Sequence, residues 1–331
     1  LVNIFLFDIK KYYSNKKIFC VYLAIILLPW LIGYKIYPNN IDKGLDKDGL
    51  SVLLVQPNIN LFDKRNISIK NKNLDNIIKK THEKILPNND LIIWPESAIP
   101  YHRVQNPLDR NYLLQKLFKY DKQYLLTGNI IYENPNVYNS AVLLDKNGIN
   151  SMYHKRQLVP LAEHFPFSEI VEYLKNINIG QTNFSKGKAD HVFDIKGYQI
   201  ASLICFESTF PEINRRHANM DLDAIVYLVN DGWYTTPPQP QQHAKQAIYR
   251  AIENRMPVIR CANTGISMLI NRAGEIENII DLNKTGTMNI SINKNNYEKT
   301  FYTRFGNVFS LILLIITLIL LCKSIFKNEK K

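Results

Sequence analysis

Three side chains in this sequence could together carry out covalent chemistry: the carboxylate of Glu96, the ammonium of Lys155 and the thiol of Cys205. A thiol nucleophile needs a base that takes its proton, and an acyl intermediate needs a cation or N–H group that stabilises its oxyanion. Each residue follows or closes an apolar, β-branched run, and groups at the carboxyl ends of strands in an α/β sheet converge on one crevice. We therefore expect the three side chains to meet in one catalytic site.

Each of these residues also has an ordinary structural explanation. Most free cysteines are small buried apolar residues, Glu96 would serve as a loop or helix-start acid, and Lys155 lies in a basic cluster of a kind usually found at the surface. Because Glu96 closes an apolar strand beside Trp94, we expect its pKa to be raised toward a range suited to removing a thiol proton. An ammonium at Lys155 would favour the thiolate. A Cys–His pair is the open alternative, in which Cys205 is partnered by His102, His154, His164, His217 or His243.

Composition and motifs argue against several other classes of protein. The 331 residues carry a formal net charge of +12, but half of this excess lies in the two ends, and no basic tract has interleaved aromatic residues. We therefore expect no nucleic-acid partner. Because the sequence has no C-x-x-C, H-E-x-x-H, G-x-G-x-x-G or G-x-x-x-x-G-K motif, we expect neither a metal nor a nucleotide cofactor. Outside the apolar ends only Cys205 and Cys261 remain, and nothing in their spacing supports a disulfide between them.

One α/β domain over residues 50–304 is predicted to position these groups. Short β-branched runs predict strands at 50–55, 90–94, 124–131, 140–145, 198–204, 223–229 and 258–261, with further candidates at 266–271 and 287–292. Helical periodicity falls between them at 71–85, 107–120, 168–177 and 239–254. The helix at 239–254 is the best supported, because its alanines share one face with Ile248. The alternation of strands and helices indicates α/β layering.

Two uncharged apolar runs flank this domain, at residues 18–34 and 305–322. Each has the length of a membrane-spanning helix, for which a buried core helix or a signal peptide is the alternative. Lysine-rich tails at 1–17 and 323–331 predict that both ends are cytoplasmic and that the domain lies across the membrane, after a linker at 35–49. The apolar start of the chain is interpreted as the end of a preceding membrane helix in a longer protein.

The order of the motifs resembles the nitrilase superfamily. The matching segments are Trp94-Pro95-Glu96, His154-Lys155-Arg156, Ile204-Cys205-Phe206-Glu207, Asn230-Asp231-Gly232-Trp233 and Asn263-Thr264-Gly265. Three further strings are similar to the apolipoprotein N-acyltransferase family within it: H-K-R-x-L-V-P-x-x-E at 154–163, Arg250-Ala251-x-Glu253 and Thr303-Arg304-x-Gly306. The resemblance implies a four-layer α-β-β-α nitrilase-like sandwich flanked by transmembrane helices.

The same resemblance implies a role for each site residue. Glu96 is the general base, Cys205 is the nucleophile, and Lys155 stabilises the thiolate and the oxyanion. Glu163 and Glu207 line the site, and the backbone amide of Phe206 joins Lys155 in the oxyanion hole. The sequence departs from the family pattern at Phe206, where Tyr is common, and at Tyr234-Thr235-Thr236, where an aromatic–Gly pair is common.

The implied activity is lipid acyl transfer. The acyl group passes from a membrane phospholipid, through a thioester on Cys205, to the N-terminal amine of the diacylglyceryl cysteine of an apolipoprotein, and no cofactor takes part. Such an enzyme is a multi-pass protein of the bacterial inner membrane with its catalytic domain on the extracytoplasmic side. Two alternatives remain open: a membrane-tethered nitrilase-type amidase, in which water takes the second step, and a non-catalytic envelope scaffold, in which the triad would be broken.

Overall fold

A computed structural model of the chain describes residues 16–36, 49–60, 67–99, 104–164, 183–233 and 237–328. The chain divides into two units, of which the first ends at Lys43 and contains one described helix, α1 (Lys16–Ile36). The second unit runs from Gly44 onward and contains the sheets and all the predicted site residues. The helix predicted at 168–177 lies outside the described residues.

Two six-stranded sheets form the centre of the second unit. The first contains β1 (Leu50–Gln56), β2 (Leu91–Ile93), β3 (Tyr124–Glu133), β4 (Asn136–Asp145), β5 (Gly148–His154) and β12 (Gly286–Ile292), in the order β12-β1-β2-β3-β4-β5. The second contains β6 (Phe193–Ile195), β7 (Tyr198–Ile204), β8 (Ala224–Val229), β9 (Val258–Ala262), β10 (Ser267–Ile270) and β11 (Ile276–Ile280), in the order β11-β10-β9-β8-β7-β6. In each sheet three neighbouring strands are parallel, β1-β2-β3 and β7-β8-β9.

The layering follows from the alternation of side chains along buried strands. In β1, Val52 and Leu54 join the core that lies between the sheets, whereas Leu53 and Val55 pack on the other face. That outer face is covered by two helices, α2 (Ile67–Lys84) and α3 (Pro107–Leu117). A strand buried on both faces needs apolar residues at nearly every position, which explains the unbroken apolar run in β1.

The second sheet is covered by α4 (Pro211–Ala218) and α5 (Gln239–Asn254). The predicted face of α5 is confirmed, since Ala244, Ala247 and Ala251 are buried in the core. This helix ends where Arg255 adopts the left-handed conformation, with φ of 50°. Two helical layers therefore enclose two sheets, and the predicted α/β sandwich with four layers is confirmed in its sheets and in its described helices.

Several short elements were not predicted. The strands β5, β6 and β11 and the helix α4 have no counterpart in the sequence analysis, and β4 begins at Asn136 rather than at 140. Polar residues interrupt β5 and β11, whose exposed positions remove the unbroken apolar signal on which the prediction relied. The omission of β5 matters for function because this strand carries Lys155 at its end.

Apolar helices lie in both regions that were predicted to span a membrane. In the second unit a short helix, α6 (Phe301–Phe305), precedes α7 (Val308–Asn328), and apolar side chains of α7 are exposed along its length, from Phe309 at 70% to Leu321 at 53%. Judged by length and hydropathy, none of the helices among the described residues qualifies as a membrane span. The predicted spans at 18–34 and 305–322 are therefore not confirmed.

Candidate active site

Cys205 stands at a sharp turn between β7 and a 3-10 helix, Cys205–Thr209. Its backbone has φ of 49°, in the left-handed region that a residue with a side chain rarely adopts. Such a conformation costs on the order of 1–3 kcal/mol and persists only where the surroundings enforce it. The turn leaves Cys205 8% exposed, at the carboxyl end of a strand that is paired in parallel with β8.

Glu96 lies just beyond β2, at the corresponding edge of the first sheet. The first residue after β2 is still bonded to β3, because the Trp94 N–H donates to the Leu126 carbonyl at 3.0 Å. Gly128 allows the loop to pass, since a Cβ at this position would lie 2.6 Å from the Glu96 Cα atom. Glu96 as a whole residue is 7% exposed, which agrees with its predicted position at the end of an apolar strand.

Lys155 follows β5 and is almost completely buried, at 1% exposure. The interpretation of this residue as part of a surface basic cluster is therefore wrong. Its Nζ atom lies 2.8 Å from Glu163 Oε2 and 3.9 Å from Glu96 Oε1. Burial opposes the ammonium, but the carboxylates of Glu163 and Glu96 outweigh it and raise the pKa of Lys155. The side chain is held as a cation between two carboxylates.

Asn139 links these two carboxylates and was missed by the sequence analysis. Its side-chain amide donates to Glu96 Oε1 at 2.7 Å and to Glu163 Oε1 at 2.9 Å. Because both neighbours are acceptors, the orientation of the amide follows from the contacts. The main chain of Asn139 also accepts the Lys155 N–H at 2.8 Å. A buried amide just before the apolar run that follows Ser140 would have been the signal, but the predicted strand began one residue later.

The charges around Cys205 set the state of its thiol. Burial raises the pKa of Cys205 well above its ordinary value, the carboxylate of Glu96 raises it further, and Lys155 lowers it only in part. The direction in which Lys155 acts agrees with the expectation that it favours the thiolate, but burial and Glu96 outweigh it in the resting site. A neutral thiol needs a base at the moment of attack. The predicted raised pKa of Glu96 stays a prediction.

Glu207 connects the two strand ends that carry Lys155 and Cys205. Its Oε1 atom accepts hydrogen bonds from the Tyr153 hydroxyl and the Arg156 N–H, both at 2.7 Å, and its Oε2 atom accepts the Ile204 N–H at 2.8 Å. Burial raises its pKa, while these hydrogen bonds and Lys155 act in the opposite direction. These contacts give Glu207 a positioning role between the sheets, whereas its predicted place in the lining of the site stays a prediction.

Glu163 and Phe206 differ in how far the structure supports their predicted roles. Glu163 accepts the Val159 N–H at 2.8 Å in addition to its ion pair with Lys155, so it lies inside the site. The ring of Phe206 packs edge-on against Phe210, with 4.9 Å between centroids. Its amide directly follows the nucleophile, and the oxyanion role of this amide stays a prediction.

Of the candidate histidines that lie in the described part of the chain, His243 is the one whose contacts include Cys205. His154 stacks on Tyr138 and contacts the Ser140 hydroxyl, and His217 bonds to the carbonyl of its own helix. Potential ligand atoms of Cys205, Asp231 and His243 lie within 4.8 Å of one another. Within residues 104–164, 183–233 and 237–328, this is the arrangement closest to a Cys–His pair. His102 lies outside the described residues.

Comparisons with known proteins identify the family and the fold of the chain. The family model for carbon-nitrogen hydrolase matches residues 53–301. A crystal structure of an amidase from Nesterenkonia sp. superposes with a TM-score of 0.53 at 17% sequence identity, covering 76% of this chain and 93% of that one. A glutamine-dependent NAD+ synthetase from Acinetobacter baumannii gives 0.54 at 19%, covering 73% and 45%. The chain belongs to the carbon-nitrogen hydrolase family, and both structures share its fold.

Sequence comparison identifies more specific relatives within this family. An apolipoprotein N-acyltransferase from Geobacter metallireducens is 28% identical over 94% of this chain and 61% of its own length. The protein of the same name from Wigglesworthia glossinidia brevipalpis is 30% identical over 92% and 63%. The resemblance to this family drawn from the motifs is confirmed. The chain spans about three fifths of the length of these two relatives.

Proposed function

We propose that the protein transfers a fatty acyl group from a phospholipid to the N-terminal amine of an apolipoprotein, with Glu96, Lys155 and Cys205 as the catalytic triad. The proposal is based on the buried Lys155, which lies between the carboxylates of Glu96 and Glu163, close to Cys205 with its strained backbone. This arrangement supplies a base, a fixed positive charge and a nucleophile in one place. The names of the relatives supply the class of acceptor.

In the first step Glu96 takes the proton of the Cys205 thiol as the sulfur attacks the ester carbonyl of the phospholipid. The Lys155 ammonium and the Phe206 N–H stabilise the oxyanion. When the tetrahedral intermediate collapses, the C–O bond breaks and the leaving alkoxide takes the proton from Glu96. The products are a thioester on Cys205 and a lysophospholipid.

In the second step the amine of the diacylglyceryl cysteine attacks the thioester carbonyl. Glu96 accepts a proton from this amine, the C–S bond breaks, and the sulfur takes the proton back from Glu96. The product is an N-acylated lipoprotein, and the free thiol is restored. While Glu96 carries the proton, Lys155 keeps its ion pair with Glu163, which holds the ammonium in place through both steps.

We further propose that the protein acts at the bacterial inner membrane, with the domain on the extracytoplasmic side. Two observations support this location: α7 exposes a continuous apolar surface, and lysines flank both apolar segments in the sequence. A domain held at the bilayer meets acyl chains that never leave it. The phospholipid donor and the lipoprotein acceptor are the partners of this reaction.

The test uses the full chain in detergent micelles with a phospholipid that carries isotope-labelled acyl chains. The acceptor is a synthetic peptide with an N-terminal diacylglyceryl cysteine, and an N-acetylated copy of this peptide is the matched control. Mass spectrometry is expected to find the labelled acyl group on the free amine and none on the blocked peptide. Release of labelled fatty acid without an acylated peptide would contradict the transfer, because water would then take the second step in place of the amine.

A further inference from the structure

Three buried polar residues, Asp231, His243 and Arg260, form a cluster next to Cys205. Asp231 follows β8, His243 lies in α5, and Arg260 lies in β9. Asp231 Oδ1 is 2.7 Å from His243 Nδ1, and Asp231 Oδ2 is 2.7 Å from Arg260 Nη2. Burial disfavours the Asp231 carboxylate, but Arg260 and the His243 hydrogen bond outweigh it and lower its pKa to about 2. The carboxylate therefore fixes both partners.

The other end of the His243 ring reaches the main chain of the nucleophile. His243 Nε2 lies 3.1 Å from the Cys205 carbonyl oxygen and 3.0 Å from the Ser208 hydroxyl. The Ser208 hydroxyl itself donates to the same carbonyl at 2.9 Å. His243 Nδ1 also lies 3.3 Å from Arg260 Nη2, so this end of the ring is held by both buried ionic side chains. The Cys205 carbonyl oxygen thus lies within hydrogen-bond distance of both His243 Nε2 and the Ser208 hydroxyl.

This contact bears directly on the strained turn. A left-handed residue turns its carbonyl in a direction that a regular strand would not give it, and such strain must be held by the surroundings. With φ of 49° at Cys205, the carbonyl oxygen is the group that His243 and Ser208 hold. Gly265 leaves the space for this arrangement, since a Cβ at that position would collide with Asp231 Oδ2.

We propose that His243, oriented by Asp231 and Arg260, is a positioning residue that holds the Cys205 main chain in its left-handed conformation and so keeps the sulfur aimed at the Glu96–Lys155 side of the site. The proposal rests on Cys205 as the nucleophile of the proposed function, but not on the identity of the acyl donor. In this proposal the Asn230-Asp231-Gly232-Trp233 motif and α5 contribute to catalysis by positioning the nucleophile.

A metal ion at Cys205, Asp231 and His243 is the competing explanation of the same cluster. Both oxygens of Asp231 are already engaged, one with the imidazole and one with the guanidinium of Arg260. A buried guanidinium at this distance would repel a divalent cation. The contacts of Asp231 and His243 therefore fit a hydrogen-bonded network rather than a metal site.

The test compares His243→Leu with His243→Gln in the full chain. Glutamine places an N–H donor close to the position of Nε2, whereas leucine fills the space without a donor. The readouts are the alkylation rate of Cys205 by iodoacetamide, located by peptide mass spectrometry, and the kcat and KM of acyl transfer. His82 offers a matched control, because its Nε2 also bonds to a main-chain carbonyl, that of Leu117, at 2.9 Å and outside the site.

His243→Leu is expected to lower kcat by roughly 10- to 100-fold with little change in KM. The reason is that the nucleophile is displaced when its main chain is released, and a displacement of about 1 Å has an effect of this size. The alkylation rate should fall in parallel, and His243→Gln should restore most of both. His82→Leu should leave both rates unchanged. Equal losses for His243→Leu and His243→Gln, or a wild-type alkylation rate in His243→Leu, would overturn the proposal.

Ser208→Ala provides a second variant in case His243→Leu does not fold. It removes the other donor to the Cys205 carbonyl with the loss of a single oxygen, and a smaller decrease in alkylation rate is expected. An unchanged rate in Ser208→Ala would count against the proposal. Iodoacetamide needs no lipid, so a protein that shows the alkylation contrast but no acyl transfer would refute the proposed function and leave this inference standing.

Discussion

Cys205 and Cys261 are two buried thiols, one just beyond the end of a strand of the second sheet and the other within a strand of that sheet, and they differ in almost everything except burial. Cys261 lies within β9 in regular register opposite Leu228 and is fully buried. Its sulfur donates to the carbonyls of Val55 and Ile93 at 3.5 Å in the facing sheet. Cys205 lies beyond the end of β7 in a left-handed turn, and the charges of Glu96, Lys155 and Asp231 act on it.

The comparison separates two effects that are easily confused. Burial raises the pKa of both thiols, so neither is a thiolate at rest. What distinguishes Cys205 is the nearby carboxylate of Glu96, the nearby ammonium of Lys155, and a main chain held in a strained turn. A buried thiol without these partners is a small apolar residue. The reactivity of the Cys205 thiol therefore depends on the groups around it and not on its burial.

Replacing each thiol should give the largest contrast. Cys205→Ala is expected to lower acyl transfer by at least about 10³-fold, because the covalent intermediate cannot form. Cys261→Ala should keep the wild-type kcat and lose about 1 kcal/mol of unfolding free energy from lost packing. Steady-state rates and denaturant melts measure the two effects. A comparable loss of activity in both variants would remove the distinction between the thiols.

Removing the cation tests the electrostatic half of the comparison. Lys155→Met leaves two buried carboxylates without their partner, and a loss of about 3–5 kcal/mol in unfolding free energy is expected. Acyl transfer should fall by roughly 10²- to 10³-fold as the oxyanion loses its charge partner. The control is Lys146→Met, whose exposed ion pair with Asp121 should contribute nothing measurable. A stable, active Lys155→Met protein would contradict the assignment.

Changing the carboxylate that links the strand ends should have a smaller effect. Glu207→Gln replaces one acceptor oxygen by an NH2 group that faces backbone donors, so at least one buried N–H loses its partner at a cost of about 1–3 kcal/mol. Because the Arg156 and Ile204 amides flank Lys155 and Cys205, kcat should fall while KM changes little. Glu212→Gln, in an exposed pair with Arg215, is the control. An unchanged kcat in Glu207→Gln would argue against a positioning role.

The smallest effect concerns pH. Asp231 has its pKa lowered from 3.8 to about 2 in the folded protein, so its contribution to stability is present above pH 3.8 and is lost as pH falls toward 2. This contribution is about 2 kcal/mol. As pH falls from 3.8 to 2, the unfolding free energy of the wild type should therefore decrease toward that of Asp231→Asn. A stability difference that stays constant with pH would show that the Asp231 charge does not stabilise the fold.

The sequence was sufficient for the parts of the molecule that repeat a simple pattern. The strand at 198–204 and the helix at 239–254 match β7 and α5 in both bounds, because an unbroken apolar run and an apolar helical face leave few alternatives. Glu96 and Cys205 could be placed at strand ends for the same reason. Their association depended on the ordered resemblance, since local patterns carry no information on which strand ends meet.

The remainder depends on tertiary contacts that no local pattern shows. Lys155 resembled a surface residue because it lies in the basic cluster His154-Lys155-Arg156, and the two carboxylates beside it explain its burial. Asn139 and His243 act through bonds to residues far away in the sequence, at separations from 24 to 43 positions. Polar residues of this kind become recognisable only when their partners are known.

The most direct test of the account is to locate the acyl group in the trapped intermediate. The full chain is mixed with isotope-labelled phospholipid in the absence of an amine acceptor, quenched with acid and digested, and the labelled peptides are mapped by mass spectrometry. The account predicts one labelled thioester, on the peptide that contains Cys205, and none on the peptide that contains Cys261. Label on Cys261, or turnover of phospholipid with no label on Cys205, would contradict it.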